Sequence, residues 1–400
     1  MSRMPAPLST AHSIVGAARP GSRGKFVKVL IVITKGDLGG AQTHVLELCQ
    51  MLRFQCEFRV MVGENGDSPL GRALHAIGVP VDVVPGMCNT TTIPAFLASI
   101  RQVAATATTW QADLIHVHSA VGAVVGRVAG LLAGRQVLYT VHGFGFKPQV
   151  AAQRRWVVYL AERLLVRLTA KYICVCDAER QLATRLGVRA GDISVIANGL
   201  CDSQWRAEPE AADPVLIMVA RAASPKRHDL LLRALAVMQD KGIAAPQTIF
   251  AGSGPLLPAV RAMAGKFRLR RVSFLGDVDE VPRLLASSQM FALLSDHEGQ
   301  PISVIEAMRA GLPIVASDLP GIRMQITDGV EGLLTANDPE AVAQSIGRLM
   351  GDRQLRARMA AAARQRYERD FSAATMAHAV MQVYDSLAVR QPYGARPRAL

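Results

Sequence analysis

The chain has 400 residues, 50% of them hydrophobic, with 33 Gly and 21 Pro, a composition typical of an α/β protein with two domains of ordinary size. No run of 18 apolar residues occurs, since the nearest candidate, residues 120–132, contains Arg127, so a membrane-spanning segment is excluded. The formal net charge is +13, and residues 1–200 hold 21 Lys and Arg against 11 Asp and Glu; this basic half would attract an anionic lipid or substrate, whereas no nucleic-acid-binding motif accompanies it.

The first 25 residues mix Pro, Ser, Gly and Arg without the apolar segment of a secretory signal. They predict a disordered lead-in and a cytoplasmic protein. The six cysteines form no C-x2-C pair, which indicates small core residues with reduced thiols and no zinc or disulfide site. They are Cys49, Cys56, Cys88, Cys174, Cys176 and Cys201.

Strand and helix patterns alternate along the first half of the chain. Residues 26–34 form a β-branched strand, followed by a glycine-rich turn and a helical pattern over residues 41–52. Such alternation predicts a parallel, doubly wound sheet. Further strands are predicted at 57–62, 81–84, 113–117, 136–141, 171–176 and 193–196.

The same cycle restarts after a polar stretch, residues 201–213, that suits a linker. The sequence therefore predicts two Rossmann-like domains that face each other across a cleft, followed by a helix long enough to cross back to the first domain and a disordered tail. Their limits are 26–200 and 214–372 for the domains, 373–389 for the helix and 390–400 for the tail. The second set of strands is predicted at 215–219, 247–251, 272–275, 290–294 and 313–317.

An amphipathic, arginine-rich stretch occupies residues 153–167. It could rest on an anionic membrane surface. The same pattern also suits a helix whose apolar face packs on the core, which is the more common arrangement.

Several residues of the first half lie at predicted strand ends, where open α/β sheets bind ligands. Gly39 and Gly40 allow close backbone approach, because glycine has no Cβ and reaches positive φ. His116, His118 and His142 lie near the ends of two predicted strands, and a histidine at such a place is either a structural residue or a catalyst.

In the second half, Arg221 and Lys226 follow the first strand, and two cations there could neutralise a diphosphate or simply be solvated loop charges. Gly252 and Gly254 form a second glycine turn. This turn would line a nucleotide pocket, or it is a plain strand-to-helix turn.

Two glutamates stand eight positions apart around a later strand-to-helix turn. Glu298 is predicted in the loop and Glu306 in the helix, whose N-terminus would favour a phosphate. Ser303-x-x-Glu306 also fits a capping box, in which the glutamate only satisfies backbone donors.

These segments resemble the retaining glycosyltransferases of family 4, which have the GT-B fold of two Rossmann-like domains. The family's E-x7-E signature matches Glu298 and Glu306, and its Arg-x4-Lys pair matches Arg221 and Lys226. The resemblance implies that the Arg-Lys pair clamps the donor diphosphate in place of a metal ion, that Glu306 binds the ribose and that Glu298 faces the donor sugar.

The resemblance extends to backbone contacts and to the first domain. It implies that the amides of Ile302 and Ser303 meet the diphosphate, and that His142 lies beside the sugar-transfer centre as a catalytic residue, with His118 as a wall of the same cleft. The Gly39-Gly40 turn looks like the family's donor and acceptor loop. One departure is Gln300-Pro301, where many members have Phe-Gly, because Pro301 has no amide hydrogen to offer a donor sugar.

The expected function is metal-independent, retaining transfer of a hexose from a nucleotide sugar, which is a substrate and not a cofactor. The acceptor would be a saccharide or a polyprenol-linked sugar in bacterial exopolysaccharide or lipopolysaccharide assembly, reached by a cytoplasmic protein at the inner face of the plasma membrane. The alternatives are a sugar-nucleotide epimerase or hydrolase on the same fold, and a basic membrane or nucleic-acid binding module. A nicotinamide oxidoreductase is disfavoured, because the turn at 36–40 is not G-x-G-x-x-G.

Overall fold

The computed structural model describes residues 26–37, 39–63, 67–88, 91–146 and 152–388, apart from the side chains of residues 152 and 154. The predicted disordered lead-in at 1–25 and tail at 390–400 lie outside the described residues, as does Leu38. Within the described ranges, no helix is long and apolar enough to cross a membrane.

The first domain is a parallel sheet with helices on both faces. Its central strand is buried from Val29 to Ile33, because β-branched and aliphatic side chains pack against helices above and below the sheet. The strands are β1 (Val27–Ile33), β2 (Cys56–Val62), β3 (Val81–Val83), β4 (Leu114–His118), β5 (Gln136–Val141), β6 (Lys171–Cys174) and β7 (Ile193–Val195), in the order β3-β2-β1-β4-β5-β6-β7. The helices are α1 (Gly40–Leu52), α2 (Pro69–Ala76), α3 (Ile93–Thr109), α4 (Ala120–Ala133), α5 (Ala152–Leu165) and α6 (Asp177–Arg185).

The second domain repeats this plan, which confirms the predicted α/β architecture of two Rossmann-like halves. Its strands are β8 (Val215–Val219), β9 (Gln247–Ala251), β10 (Val272–Gly276), β11 (Met290–Leu293), β12 (Ile314–Ser317) and β13 (Gly332–Thr335), in the order β10-β9-β8-β11-β12-β13. The helices are α7 (His228–Asp240), α8 (Leu257–Lys266), α9 (Val281–Ala286), α10 (Ile302–Ala310), α11 (Pro320–Arg323), α12 (Pro339–Gly351) and α13 (Arg353–Asp370).

The second sheet has six strands, one more than the sequence predicted. The additional strand is β13, a four-residue edge strand that begins with Gly332. A Cβ at Gly332 would lie 2.1 Å from the Ile314 carbonyl oxygen, so glycine permits the close approach to β12. A short strand that begins with glycine has a weak sequence signal.

The last helix returns to the first domain. It is α14 (Ala373–Ala388), which packs against α1 and contributes Met376, Val380 and Tyr384 to the first-domain core. The predicted linker is itself packed on the second domain: Arg356, 2% exposed, donates to the carbonyl oxygens of Pro209 at 2.7 Å and Ala211 at 2.9 Å. The joining segment is therefore held in place and is not a free tether.

Candidate active site

The N-termini of α1 and α10 face each other across the cleft between the domains. A Cβ built on Gly40 would lie 3.3 Å from Ile302 Cγ1 on the opposite helix. Gly39 precedes α1 with φ of 174°, which is extended backbone that any residue adopts. A Cβ on Gly39 would lie 2.8 Å from Gln42 Oε1, at the end of a flexible side chain.

The amide groups at the start of α10 are available to an anion. The first residues of an α-helix have no acceptor within the helix, and here they are Ile302 and Ser303. The N-cap residue is Pro301, and within the described ranges no side chain caps this helix end. The capping-box interpretation of Ser303 and Glu306 is therefore wrong, and Glu306 lies one turn inside the helix.

Glu306 lies where both domains and the joining segment meet. Burial raises the pKa of the half-buried Glu306, while Arg309 lowers that pKa and Glu47 of α1 raises it. Glu47 Oε2 accepts a hydrogen bond from the Cys201 amide at 2.9 Å, and Arg309 Nη1 donates to the Cys201 carbonyl oxygen at 2.9 Å. The predicted ribose ligand thus has charged neighbours from both domains.

The Glu298 carboxylate is bound by two side chains of its own domain. It forms an ion pair with Lys226, and Ser295 Oγ donates to Glu298 Oε1 at 2.5 Å. The two charged side chains are only 19% and 10% exposed. Lys226, predicted with Arg221 as a cationic pair, therefore has an anionic partner, whereas Arg221 is exposed and has no ion-pair partner among the described residues.

The second glycine turn packs beside Arg221. Gly252 and Gly254 have φ of +126° and +157°, and a Cβ on them would lie 2.3 Å from Ala220 O and 2.4 Å from Ala222 O. Glycine is required at both positions because the turn touches the backbone around Arg221. Backbone packing therefore explains the two glycines, and the turn lies next to the predicted diphosphate site.

Four histidines from the first domain cluster on the other side of the cleft. His118 Nδ1 is hydrogen-bonded to His142 Nε2 at 3.1 Å, and the ring of His44 lies 5.0 Å from that of His142. His116 is structural, bonded to Tyr384 OH and Thr140 Oγ1, both at 2.7 Å.

The histidine cluster is neutral near pH 7. Burial lowers the pKa of His44 to about 4, and burial followed by the neighbouring histidines holds the pKa values of His116 and His118 well below the ordinary value. Burial and His44 do the same to the pKa of His142. A neutral imidazole can accept a hydrogen bond from a substrate hydroxyl.

Gln300 connects the two sides and was missed as a site residue, together with His44 and Asn198. Gln300 Oε1 accepts from the Asn198 amide at 2.6 Å, and Asn198 Oδ1 accepts from His44 Nδ1 at 2.9 Å. Gln300 is 7% exposed, and neither its Nε2 nor His44 Nε2 has a hydrogen-bond partner among the residues that the structure describes. The departure Gln300-Pro301 was the available signal, but it did not indicate a bond between residues 102 positions apart.

A cavity of about 450 Å³ opens between α6 and the loop that carries Glu298. Asp177, Gln181 and Arg185 line it from the first domain, and Asp296 and Glu298 from the second. Of the predicted site residues, Glu298 is the one that reaches this cavity. In the part of the chain that the structure describes, no group of three or more His, Cys, Asp or Glu could hold a metal ion, and the six cysteines are free thiols.

Family comparisons agree with this arrangement over most of the chain. Residues 39–199 match the family model "Glycosyl transferase 4-like domain", and residues 203–366 match "Glycosyl transferases group 1". The two matches meet at the segment that joins the domains.

Similar proteins include an Escherichia coli UDP-Gal:alpha-D-GlcNAc-diphosphoundecaprenol alpha-1,3-galactosyltransferase, 25% identical over 82% of this chain and 89% of that protein. The O-antigen biosynthesis glycosyltransferase WbnH of Escherichia coli is 23% identical over 80% of this chain and 89% of its own length. Among solved structures, Anabaena HepE in complex with UDP and glucose superposes with a TM-score of 0.79 at 23% identity, covering 90% of this chain and 100% of HepE. The chain therefore belongs to the family 4 glycosyltransferases of the GT-B fold.

Proposed function

We propose that the protein transfers a hexose from a UDP-sugar to a polyprenol-linked or other saccharide acceptor, with retention of anomeric configuration and without a divalent metal ion. The observation that carries this proposal is the arrangement across the cleft. The uncapped N-terminus of α10, Arg221 and the Lys226–Glu298 pair lie on one side, and neutral His142 lies on the other.

Groups of the second domain would stabilise the charge of the leaving group. A departing nucleoside diphosphate carries negative charge, which Arg221, Lys226 and the amides of Ile302 and Ser303 would stabilise through charge-assisted hydrogen bonds and the helix dipole. Glu306 would accept hydrogen bonds from the ribose hydroxyls, because a carboxylate can bind two vicinal hydroxyls.

Sugar transfer itself is assigned to the space between Glu298 and His142. The bond from the anomeric carbon to the diphosphate breaks, its electron pair stays with the diphosphate, and the acceptor oxygen bonds to the same face of that carbon. The acceptor proton passes to the released phosphate oxygen. Glu298 would hold donor hydroxyls, and neutral His142 would hold a hydroxyl of donor or acceptor without adding a positive charge beside the oxocarbenium-like carbon.

Relatives support the substrate classes in this proposal. HepE was crystallised with UDP and glucose, and the Escherichia coli relative acts on a diphosphoundecaprenol-linked GlcNAc. The O-antigen relative supports a part in surface polysaccharide assembly. A polyprenol-linked acceptor resides in a membrane, so we place the reaction at the cytoplasmic membrane face.

The proposal is tested first by thermal shift with UDP-glucose, UDP-galactose, UDP-GlcNAc and GDP-mannose, where UDP-sugars should raise the melting temperature most. Turnover is then measured with and without a polyprenol-diphosphate sugar, with and without chelator, and the anomeric configuration of the product is read by NMR. Release of free sugar or an epimerised donor without acceptor would favour a hydrolase or epimerase. An inverted product or loss of activity that Mg²⁺ restores would refute the mechanism.

A further inference from the structure

The outward face of α5 is apolar. Trp156, Val157, Leu160 and Leu164 are 66%, 70%, 58% and 68% exposed. Their spacing along the helix places these four side chains on one face. Four large apolar side chains in contact with water on one helix are more than the scattered single exposures that a soluble surface normally carries.

The inward face of the same helix combines apolar side chains, Val158 and Tyr159, which pack against the first-domain core, with one buried ion pair. Glu162, 5% exposed, forms a bidentate ion pair with Arg127 of α4 at 2.8 and 3.0 Å, and Arg127 is fully buried. The Arg127 guanidinium also lies 4.8 Å from the ring centroid of Tyr139. The core-facing alternative for residues 153–167 thus holds for the side chains that pack inward, but a second apolar stripe of the same helix faces outward.

The charge of this region complements an anionic surface. Residues 152–168 contain four arginines and a single acid, Glu162, which Arg127 neutralises in the interior. One of these arginines also has a structural part, since Arg163 Nη1 donates to the Leu186 carbonyl oxygen at 2.8 Å. An exposed apolar stripe within an arginine-rich segment suits a bilayer with anionic headgroups.

A row of aromatic rings joins this face to the predicted transfer centre. Phe144, two residues after His142, lies 4.9 Å from Phe146 between ring centroids, Phe146 lies 5.5 Å from Tyr159, and Tyr159 lies 5.9 Å from Trp156. The loop that carries His142 is thus packed directly on the helix with the exposed stripe.

We propose that the outer face of α5 is a docking surface for an anionic lipid bilayer, and that docking brings the His142 loop to the membrane where a lipid-linked acceptor resides. This inference rests on the proposed function for the acceptor, but the docking itself is independent of catalysis. The partner is the bilayer, because the stripe combines apolar side chains with a surplus of positive charge.

Docking is tested with the full chain and vesicles of phosphatidylcholine, with or without phosphatidylglycerol. We expect co-sedimentation with the anionic vesicles that falls as salt rises. Trp156→Ser combined with Leu160→Ser should weaken it by roughly a factor of ten or more, because two large apolar side chains no longer enter the bilayer. The matched control is Ile243→Ser with Leu275→Ser, which removes 48% and 47% exposed side chains from the second domain and should bind vesicles like the parent.

Tryptophan fluorescence reports the location of the contact. In a chain where Trp110 and Trp205 are replaced by Phe, Trp156 emission should shift to the blue with anionic vesicles. No shift, equal binding by the Trp156/Leu160 variant, or absence of binding by the parent would overturn the docking surface. A parent dimer that the same variant dissociates, without vesicle binding, would show that a second copy covers this face and would also overturn it.

Activity assays separate this inference from the proposed function. With a lipid-linked acceptor in vesicles, the Trp156/Leu160 variant should lose turnover in proportion to its lost binding, while its turnover on a short-chain, water-soluble acceptor should match the parent. Vesicle binding without any sugar transfer would refute the proposed function alone, and transfer without vesicle binding would refute the docking alone.

Discussion

Glu298→Gln is expected to strengthen binding of UDP while it weakens sugar transfer. The substitution removes the negative charge but keeps the shape of the side chain and an oxygen that can accept from Ser295 Oγ. It also leaves Lys226 without its ion-pair partner. Lys226 would then face the diphosphate uncompensated, whereas the donor sugar would lose a charged acceptor.

The two effects have different sizes. A carboxylate at Glu298 and a diphosphate charge about 6 Å from it would repel each other by about 3 kcal/mol at an effective dielectric constant of about 20. The side chains of Lys226 and Glu298 are 19% and 10% exposed. Because solvent screens this repulsion, removal of the Glu298 charge should improve UDP binding by about 1 kcal/mol, which is about fivefold tighter binding. A lost hydrogen bond to a charged group costs about 1.5 to 3 kcal/mol, which corresponds to roughly 10- to 150-fold lower kcat/KM.

Calorimetry with UDP and steady-state kinetics with the UDP-sugar measure these effects. The matched control is Asp296→Asn, which removes a negative charge from the same loop but from an ion pair with Arg227, whose Nη1 lies 3.0 Å from Asp296 Oδ1. Asp296→Asn should leave UDP affinity nearly unchanged. Equal losses of UDP and UDP-sugar binding in Glu298→Gln would mean that the Lys226 pair only supports the loop. An equal increase in UDP affinity in both variants would mean that the change in net charge, and not the Lys226 pair, determines UDP binding.

Three further substitutions test the interior. Glu162→Gln should lower the free energy of unfolding by about 3 to 5 kcal/mol in urea titration, because it leaves a buried guanidinium unpaired. Gln300→Glu keeps an oxygen for the Asn198 amide but removes the Nε2 donor and buries a charge, so it should lower the melting temperature and, measured below that temperature, kcat/KM; unchanged kinetics would exclude a substrate contact. The pKa of His44 is lowered to about 4, so its neutral form stabilises the fold above about pH 6.5 and that stability is lost as pH falls towards 4. His44→Gln should therefore flatten the dependence of melting temperature on pH over this range, whereas His378→Gln, an exposed control, should not.

Sequence patterns were sufficient for the architecture because the strands are buried on both faces. Runs such as Val29–Ile33 and Met290–Leu293 are continuous apolar segments, and each is followed by a turn and a helical period. The motif positions of Arg221, Lys226 and Glu298 follow from the same pattern, since the carboxyl ends of parallel strands meet at one edge of a sheet.

Local sequence patterns did not predict the orientation of helix α5 or the polar contacts between residues far apart in the chain. The pattern of α5 indicates an amphipathic helix, but its orientation depends on tertiary contacts, the packing of Val158 and Tyr159 on the core and the pairing of Glu162 with Arg127, 35 residues earlier in the chain. His44 occupies a position in α1 that a core residue would also occupy, and its hydrogen bond to Asn198 spans 154 residues. Such bonds depend on how two domains meet, which a local pattern does not encode.

The junction of the domains links their relative position to donor binding. Three hydrogen bonds there start from backbone amides, those of Asp177, Asn198 and Cys201, so the specificity of the junction lies in the acceptors, Met324, Gln300 and Glu47. Two of these acceptors belong to the candidate site. Gln300 stands between Glu298 and the start of α10, and Glu47 raises the pKa of Glu306. Any movement that separates the domains must break these bonds and change the surroundings of the predicted donor ligands together. The arrangement that closes the cleft is therefore also the arrangement that would complete the proposed donor site.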